Sequence, residues 1–186
     1  MGKRQESNEC VMCDRNGIGL VMQDDSVVVI DPEDYPMVSK YRWHLSSPTI
    51  KGMAYARCFI GRFNGKMKLG LMHRMILGTV DQPEVYVDHI DHDTKNNRRS
   101  NLRIATKEQS THNRRVRTHW RGKPLDSAYK GVFLCKTTGR WRARIVIDKK
   151  NVSLGVFDTE KLAALAYNEA AIQHHGEFAC LNSVEP

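Results

Sequence analysis

The sequence contains no long hydrophobic run and only five cysteines. None of its apolar segments approaches the roughly 20 residues that a helix needs to cross a bilayer, and its basic start is not followed by the apolar core of a secretory signal. The cysteines are odd in number and scattered, which argues against a disulfide framework and for a reducing cytoplasm. The sequence thus predicts neither a membrane-spanning protein nor a disulfide-stabilised secreted one.

Acidic side chains are in the minority, and the positive charge is unevenly spread. The chain of 186 residues has 29 Lys and Arg against 21 Asp and Glu, a formal net charge of +8. Residues 88–128 alone carry ten basic and five acidic side chains. This balance favours a polyanionic partner, and a hydrophobic content of 40% allows one or two small domains.

The charged stretch opens with Asp88 and His89, directly after the short strand-like run 85–87. A polar, Asn-rich loop, an extended segment at 101–104 and a helix-compatible run at 106–116 follow. A carboxylate is a hard ligand for a divalent cation, and an imidazole can take a proton from water near neutral pH. Because neighbours on a strand point to opposite faces, Asp88 and His89 can act on one phosphate only if the strand ends or bends there.

The same stretch resembles the HNH endonucleases of phage homing type. The resemblance is carried by Asp88-His89-Ile90-Asp91, Asn96-Asn97-Arg98 and Asn101-Leu102-Arg103. It implies a ββα-metal fold, a DNA phosphodiester as the substrate, and Mg²⁺ or Mn²⁺ as the cofactor. It also implies that His89 is the general base, that Asp88 is a metal ligand, and that Asn101 pins the loop and orients the base.

The second metal ligand of that family is usually an Asn or His on the helix, in the pattern Asn-x-x-Asn. This chain has Ser110 at the first position and Asn113 at the second. The two are three residues apart, on one helical face, so both stay open as ligands. His112 is a weaker candidate. His73-Arg74 resembles a pair that precedes the core in related phage nucleases, where His73 either approaches the active site or orders its own element.

Residues 1–80 are predicted to form a mixed, β-rich region that braces the nuclease. Hairpins are indicated by the turn at 24–26 and by Asn64-Gly65, and a short helix by Pro32 and the acids around it. Cys10 and Cys13 form a Cys-x-x-Cys, but a structural zinc site needs about four ligands. Because a second such pair is absent from the sequence, we favour free thiols over zinc there.

The C-terminal region changes pattern at residue 129. Residues 140–148 alternate strictly, and with the flanking segments they predict three antiparallel strands followed by a helix from about 159 to 174. The motifs YKGV, LGVFDT, AALAYNEAA and GEFACLN resemble the plant ethylene-response-factor (APETALA-type) DNA-binding domain, whose sheet enters the major groove. Phe133, Cys135 and Ser153 stand where that family has Arg or Trp.

These observations predict an α+β protein with a bracing region (1–80), an HNH core (81–117), a basic linker (118–128) and a DNA-binding domain (129–186). Double-stranded DNA is the expected partner, bound by basic side chains of the linker region and the sheet. The candidates are Arg114, Arg115, Arg117, Lys130, Lys136, Arg140, Arg142 and Arg144. We expect a phage-type homing endonuclease, monomeric or homodimeric, or alternatively a DNA-binding regulator whose HNH unit has decayed.

Overall fold

The computed structural model describes residues 8, 10–14, 17–47, 53–114, 116, 119–120 and 123–185. The chain is an α+β protein that divides into two compact units, Met1–Lys107 and Glu108–Pro186. Within the residues just given, no helix has the length and apolarity to cross a membrane.

Three antiparallel strands open the first unit, in the order β1-β2-β3. They are β1 (Cys10–Asp14), β2 (Gly17–Val21) and β3 (Val27–Ile30). The hairpin predicted around residues 24–26 is confirmed, with Asp25 in the left-handed region at φ 61°. Strand β1, which carries the Cys-x-x-Cys, was not predicted.

A short helical segment and a second three-stranded sheet follow. The elements are a 3-10 turn (Pro32–Asp34), α1 (Tyr35–Val38), β4 (His44–Leu45), β5 (Ala56–Phe63), β6 (Lys66–Leu71) and α2 (Met72–Ile76). The predicted Asn64-Gly65 turn is confirmed, since both residues have positive φ and join β5 to β6. The predicted helix is shorter than expected, because it ends at Val38 instead of about Tyr41.

The stretch with Asp88 and His89 forms an antiparallel strand pair, β7 (Tyr86–His89) and β8 (Leu102–Ala105), with a 3-10 turn at Arg99–Asn101 before β8. Leu102 lies in the same core as side chains from the region before residue 80. That core contains Leu20, Met22, Val28, Ile30, Val38, Trp43, Ala56, Cys58, Met72, Ile76 and Leu102. The bracing region and the nuclease strands are therefore one folded unit.

The second unit contains a short helix, a small strand pair, a three-stranded sheet and a long helix. The helix α3 (Lys107–His112) begins at the boundary residue and ends earlier than the predicted 116. The strands are β9 (His119–Trp120), β10 (Lys123–Pro124), β11 (Val132–Cys135), β12 (Arg140–Ile147) and β13 (Lys150–Phe157), and the long helix is α4 (Glu160–His175).

The sheet β11-β12-β13 is antiparallel, and α4 covers one of its faces. Ala143 and Ile145 are buried on that side, while their neighbours on β12 are exposed. Small residues let α4 lie close to the sheet, since Ala163, Ala164, Ala170 and Ala171 are all buried. Apolar and charged residues alternate along β12 because only one face of this strand is buried.

Candidate functional site

Asp88 is held by an arginine on the neighbouring strand. The register of β7 and β8 places Asp88 opposite Arg103. Arg103 donates from Nη2 and Nε to Oδ2 of Asp88, at 2.9 and 3.2 Å. The Asp88 side chain is 12% exposed, so this charge-assisted contact is partly sheltered from water and fixes the direction of the carboxylate.

His89, the last residue of β7, is only 6% exposed. Its Nε2 lies 3.4 Å from Oδ1 of Asn97. The amide of Asn97 also donates from Nδ2 to the carbonyl of Thr94 at 3.2 Å, which turns its oxygen toward the ring. An amide oxygen can only accept, so this contact is a hydrogen bond when the ring carries its proton on Nε2.

Burial lowers the pKa of His89, and this effect outweighs the hydrogen bond with Asn97 and the negative charges of Asp91, Asp88 and Asp93, which raise it. Desolvation disfavours the imidazolium because a charge is poorly stabilised away from water. The ring is therefore neutral at pH 7, and a neutral imidazole can accept a proton.

Asn101 closes the loop that follows His89. Its amide donates to Oδ1 of Asp91 and to the carbonyl of Asn96, both at 2.8 Å. Its Oδ1 accepts from the backbone N–H of Asp91 at 3.0 Å. Although burial acts to raise the pKa of Asp91, hydrogen bonds from Asn96, Asp93 and Asn101 lower it overall. The structure thus gives Asn101 the contacts of a residue that pins this loop.

A second histidine lies beside the first. The rings of His73 and His89 are 5.1 Å apart between centroids and nearly perpendicular, and the ring of Tyr55 lies 5.5 Å from that of His73. His73 is buried in α2, and its Nδ1 has no hydrogen-bond partner among the described residues. Burial, together with His89 and Arg74, lowers the pKa of His73 to about 3. Its ring is therefore neutral against that of His89.

The first sheet and the 3-10 turn that follows it support the loop at 93–99. The backbone N–H of Val29 donates to the carbonyl of Lys95 at 2.8 Å, and the backbone N–H of Asn97 donates to the carbonyl of Val29 at 2.7 Å. Arg99 forms an ion pair with the buried Asp34 at 2.6 Å. Thr94 donates its hydroxyl to the carbonyl of Ala54 at 2.6 Å. These contacts come from residues far away in sequence, so the N-terminal sheet and turn contribute directly to the geometry around His89.

The predicted helix ligands belong to the second unit. Ser110 lies on α3 and is half-buried, and Asn113 follows α3 and is buried. Asp88 belongs to the first unit, so the choice between Ser110 and Asn113 stays a prediction. Across the described ranges, no three His, Cys, Asp or Glu side chains gather as a metal-binding group. The predicted metal ligands would not form such a group, because they combine the single carboxylate of Asp88 with the hydroxyl of Ser110 or the amide oxygen of Asn113.

The Cys-x-x-Cys is described only in part. Cys10 is an exposed free thiol on β1, and the side chain of Cys13 lies outside the described residues. The alternative of a zinc site at this pair stays untested.

Contacts within the second unit hold the end of α3. The ring of His112 stacks on that of His175, with centroids 3.7 Å apart and planes 10° from parallel. The Lys130 ammonium donates to the carbonyls of His112 and Arg114. Burial lowers the pKa of Lys130. Lys130, predicted as a DNA contact, thus directs its charge to the backbone at the C-terminal end of α3.

The other predicted DNA contacts are mostly exposed. Arg140, Arg142 and Arg144 lie on the open face of β12, and Lys136 is 80% exposed beside Asp126. Arg140 also forms an ion pair with Asp158 at 2.9 Å. Arg114 is exposed, whereas Arg115 and Arg117 lie outside the described residues.

Sequence reasoning missed two residues of the site. In the sequence Asn97 is part of a motif and has no predicted role, yet it contacts the His89 ring. Arg103 was not given a role, yet it fixes Asp88. Pairing the two strands in register would have found Arg103, since it lies directly opposite Asp88.

Comparison with known proteins gives two family matches. Residues 71–112 match the HNH endonuclease family, and residues 127–177 match the AP2 domain. An uncharacterized HNH endonuclease, L560, of Acanthamoeba polyphaga mimivirus is 32% identical over 157 residues, 82% of this chain and 73% of the viral protein. No solved structure matches the chain.

Plant proteins match the C-terminal unit alone. APETALA2-like protein 2 of Oryza sativa subsp. indica is 48% identical over 58 residues, 30% of this chain and 13% of the rice protein. The AP2-like ethylene-responsive transcription factor TOE2 of Arabidopsis thaliana is 45% identical over 58 residues, 31% of this chain and 12% of that protein. Because the viral relative is similar over most of both chains, this protein belongs to the HNH endonuclease family, with an AP2 domain in its C-terminal unit.

Proposed function

We propose that the protein is a homing-type DNA endonuclease that hydrolyses one phosphodiester per active site, with His89 as the general base. The observation that carries the proposal is the buried, neutral imidazole of His89 next in sequence to a carboxylate that Arg103 holds in place. A neutral imidazole can take the proton of an attacking water. Burial keeps it in that form at the pH of the cell.

The donor chemistry around Asp88 suits a hard divalent cation. Asp88 offers a carboxylate, and Ser110 or Asn113 would add a hydroxyl or amide oxygen, which are the ligand types that Mg²⁺ and Mn²⁺ prefer. A bound cation would stabilise negative charge on the phosphate and on the leaving oxygen. Arg103 would keep the Asp88 carboxylate oriented, and Asn101 and Asn97 would keep the loop and the ring in place.

Duplex DNA would be held by the basic face of the C-terminal sheet. Arg140, Arg142 and Arg144 repeat every second residue on the side of β12 that α4 leaves open. Guanidinium groups can grip phosphates or read guanine. With one site per chain, a monomer would nick one strand, and a homodimer or two successive cuts would break both.

Incubation of the full-length protein with supercoiled plasmid tests this function. Nicked plasmid should appear with Mg²⁺ or Mn²⁺ and disappear when EDTA removes the metal. His89→Ala should abolish nicking, since a general base contributes about 10²- to 10⁴-fold, while DNA binding measured in EDTA stays close to that of the parent protein.

The same experiment separates the alternative function. Binding to DNA without nicking in any divalent metal would favour a DNA-binding regulator with a decayed nuclease, for which the hydroxyl of Ser110 in place of the usual Asn is the motivating feature. Loss of binding as well as cutting in His89→Ala would instead assign His89 to folding.

A further inference from the structure

The open face of the C-terminal sheet carries apolar side chains among its arginines. Phe133 on β11 and Val156 on β13 are both paired with Arg142 on β12, so the three side chains form one row across the sheet. Phe133 is 37% exposed and Val156 is 44% exposed. A surface that bound only phosphates would need only basic side chains. Phe133 and Val156 add exposed apolar surface, which a ligand must complement with apolar groups of its own.

Arg144 holds the aromatic ring of this row. Its Cζ lies 4.1 Å from the centroid of the Phe133 ring, which is a cation–π contact. The contact orders both side chains before any ligand arrives, and pre-ordered groups lose less entropy on binding. The contact therefore favours one position of the Phe133 ring on the open face.

A ligand that fits this row must offer negative charge, hydrogen-bond acceptors and small apolar groups together. The major groove of DNA does so, because guanine presents two acceptors and thymine alone among the four bases presents a methyl group. A groove of this width also admits β-strands. The net charge of +8 favours such a polyanion over an apolar protein partner.

We propose that Phe133 and Val156 read thymine in the major groove through its 5-methyl group, with Arg142 between them on the same row. This inference rests on the DNA binding proposed above and goes further, because it names the base and the side chains that select it. The face then discriminates by apolar contact at the positions of Phe133 and Val156, and by hydrogen bonding at Arg142.

The test replaces single thymines by deoxyuridine, which lacks only the methyl group. Binding sites are first selected from random duplexes with the full-length protein in EDTA, so that no cutting occurs. Each thymine of the selected site is then exchanged in turn, and the Kd is measured by fluorescence anisotropy. Deoxyuridine should weaken binding by about fourfold at one or two positions, which corresponds to one buried methyl group, and should have no effect elsewhere.

Two variants connect the effect to the sheet. Phe133→Ala should bind the thymine site more weakly and should no longer distinguish thymine from deoxyuridine at one of the sensitive positions. Leu162→Ala is the matched control, because Leu162 is an exposed apolar side chain on α4 in the same unit, and it should retain the full deoxyuridine effect. Thermal melts of all variants verify the fold.

The outcomes separate this inference from the proposed function. Selected sites without thymine, deoxyuridine that is tolerated at every position, or an unchanged effect in Phe133→Ala would each overturn thymine reading while DNA binding stands. Failure of the parent protein to bind any duplex at low salt would overturn the proposed function itself, and would leave a protein partner as the match for this surface.

Discussion

Arg103 and Asp88 face each other across two paired strands, with Nη2 of the arginine 2.9 Å from Oδ2 of the carboxylate. The arginine thus determines where the proposed metal ligand points. Partners of this kind commonly affect metal affinity or activity by about 10- to 100-fold. We expect Arg103→Gln to reduce nicking by a factor in that range and to raise the Mg²⁺ concentration that gives half-maximal rate.

Lys68→Gln provides a control for the loss of charge in the Arg103 variant. Lys68 pairs with Asp81 in the same unit, and the two side chains are 41% and 78% exposed. An exposed ion pair contributes little to stability, so this variant should nick plasmid at a rate within about twofold of the parent. Equal losses in both variants would show that net charge, and not the orientation of Asp88, explains the effect.

The acidic limb of the pH–rate profile should lie below pH 6.5. Burial lowers the pKa of His89, so its ring stays neutral, and active as a base, at pH values where an exposed histidine is already half protonated. Measuring kcat/KM for nicking between pH 5 and 8 reports this group in the free enzyme. A limb centred above pH 7 would mean that another group controls the rate.

His73 should make the first unit less stable in acid. Its pKa is about 3 in the folded protein and near 6.5 when unfolded, so the unfolded state binds the extra proton between these values. The free energy of unfolding should therefore fall as pH drops below 6.5, by up to about 1.4 kcal/mol per pH unit from this residue.

Urea unfolding of the parent and of His73→Gln between pH 4 and 8 checks this expectation. The variant should show a shallower dependence on pH, with the contribution of His89 remaining. Comparison above pH 7, where both histidines are neutral, isolates any general loss of packing. Parallel curves for the two proteins over the whole range would contradict the prediction.

Gly131 should tolerate no side chain. It has φ +77°, and a Cβ there would lie 2.1 Å from Cδ2 of Tyr167 and 2.6 Å from the carbonyl oxygen of Arg144. Tyr167 is buried, so Gly131→Ala combines left-handed strain with overpacking and should cost about 3 kcal/mol or more.

Gly139→Ala is the comparison for that variant. Gly139 has φ +68° and open space around the site of a Cβ, so only backbone strain of about 1–2 kcal/mol should appear. Urea denaturation followed by circular dichroism measures both. A similar loss in the two variants would mean that the close approach of Gly131 to Tyr167 is absent in solution.

Alternation predicted the strands that have one buried and one open face. Residues 140–147 alternate because α4 covers only one side of β12. The ends of helices were harder to predict, since they depend on distant partners. The indole of Trp43 donates to the carbonyl of Val38 at 2.8 Å, where α1 ends. Lys130 similarly binds the carbonyls of His112 and Arg114, where α3 ends.

The candidate site shows the same division between local and distant information. The order of Asp88, His89 and Asn101 along the chain was enough to propose them as site residues, and their roles stay predictions. It could not predict that burial would make His89 neutral, because that burial comes from the surrounding fold, in which the rings of His73 and Tyr55 lie beside the His89 ring. Cross-strand pairing and ring packing are properties of the folded chain.

The contacts that hold α3 in the second unit limit how the C-terminal domain could be exchanged by gene fusion. Lys149 lies 3.8 Å from Glu108, His175 stacks on His112, and Lys130 binds the backbone beyond them. A gene fusion that exchanged everything after residue 126 would leave this helix without all three neighbours. A replacement C-terminal domain would therefore have to supply equivalent contacts to α3.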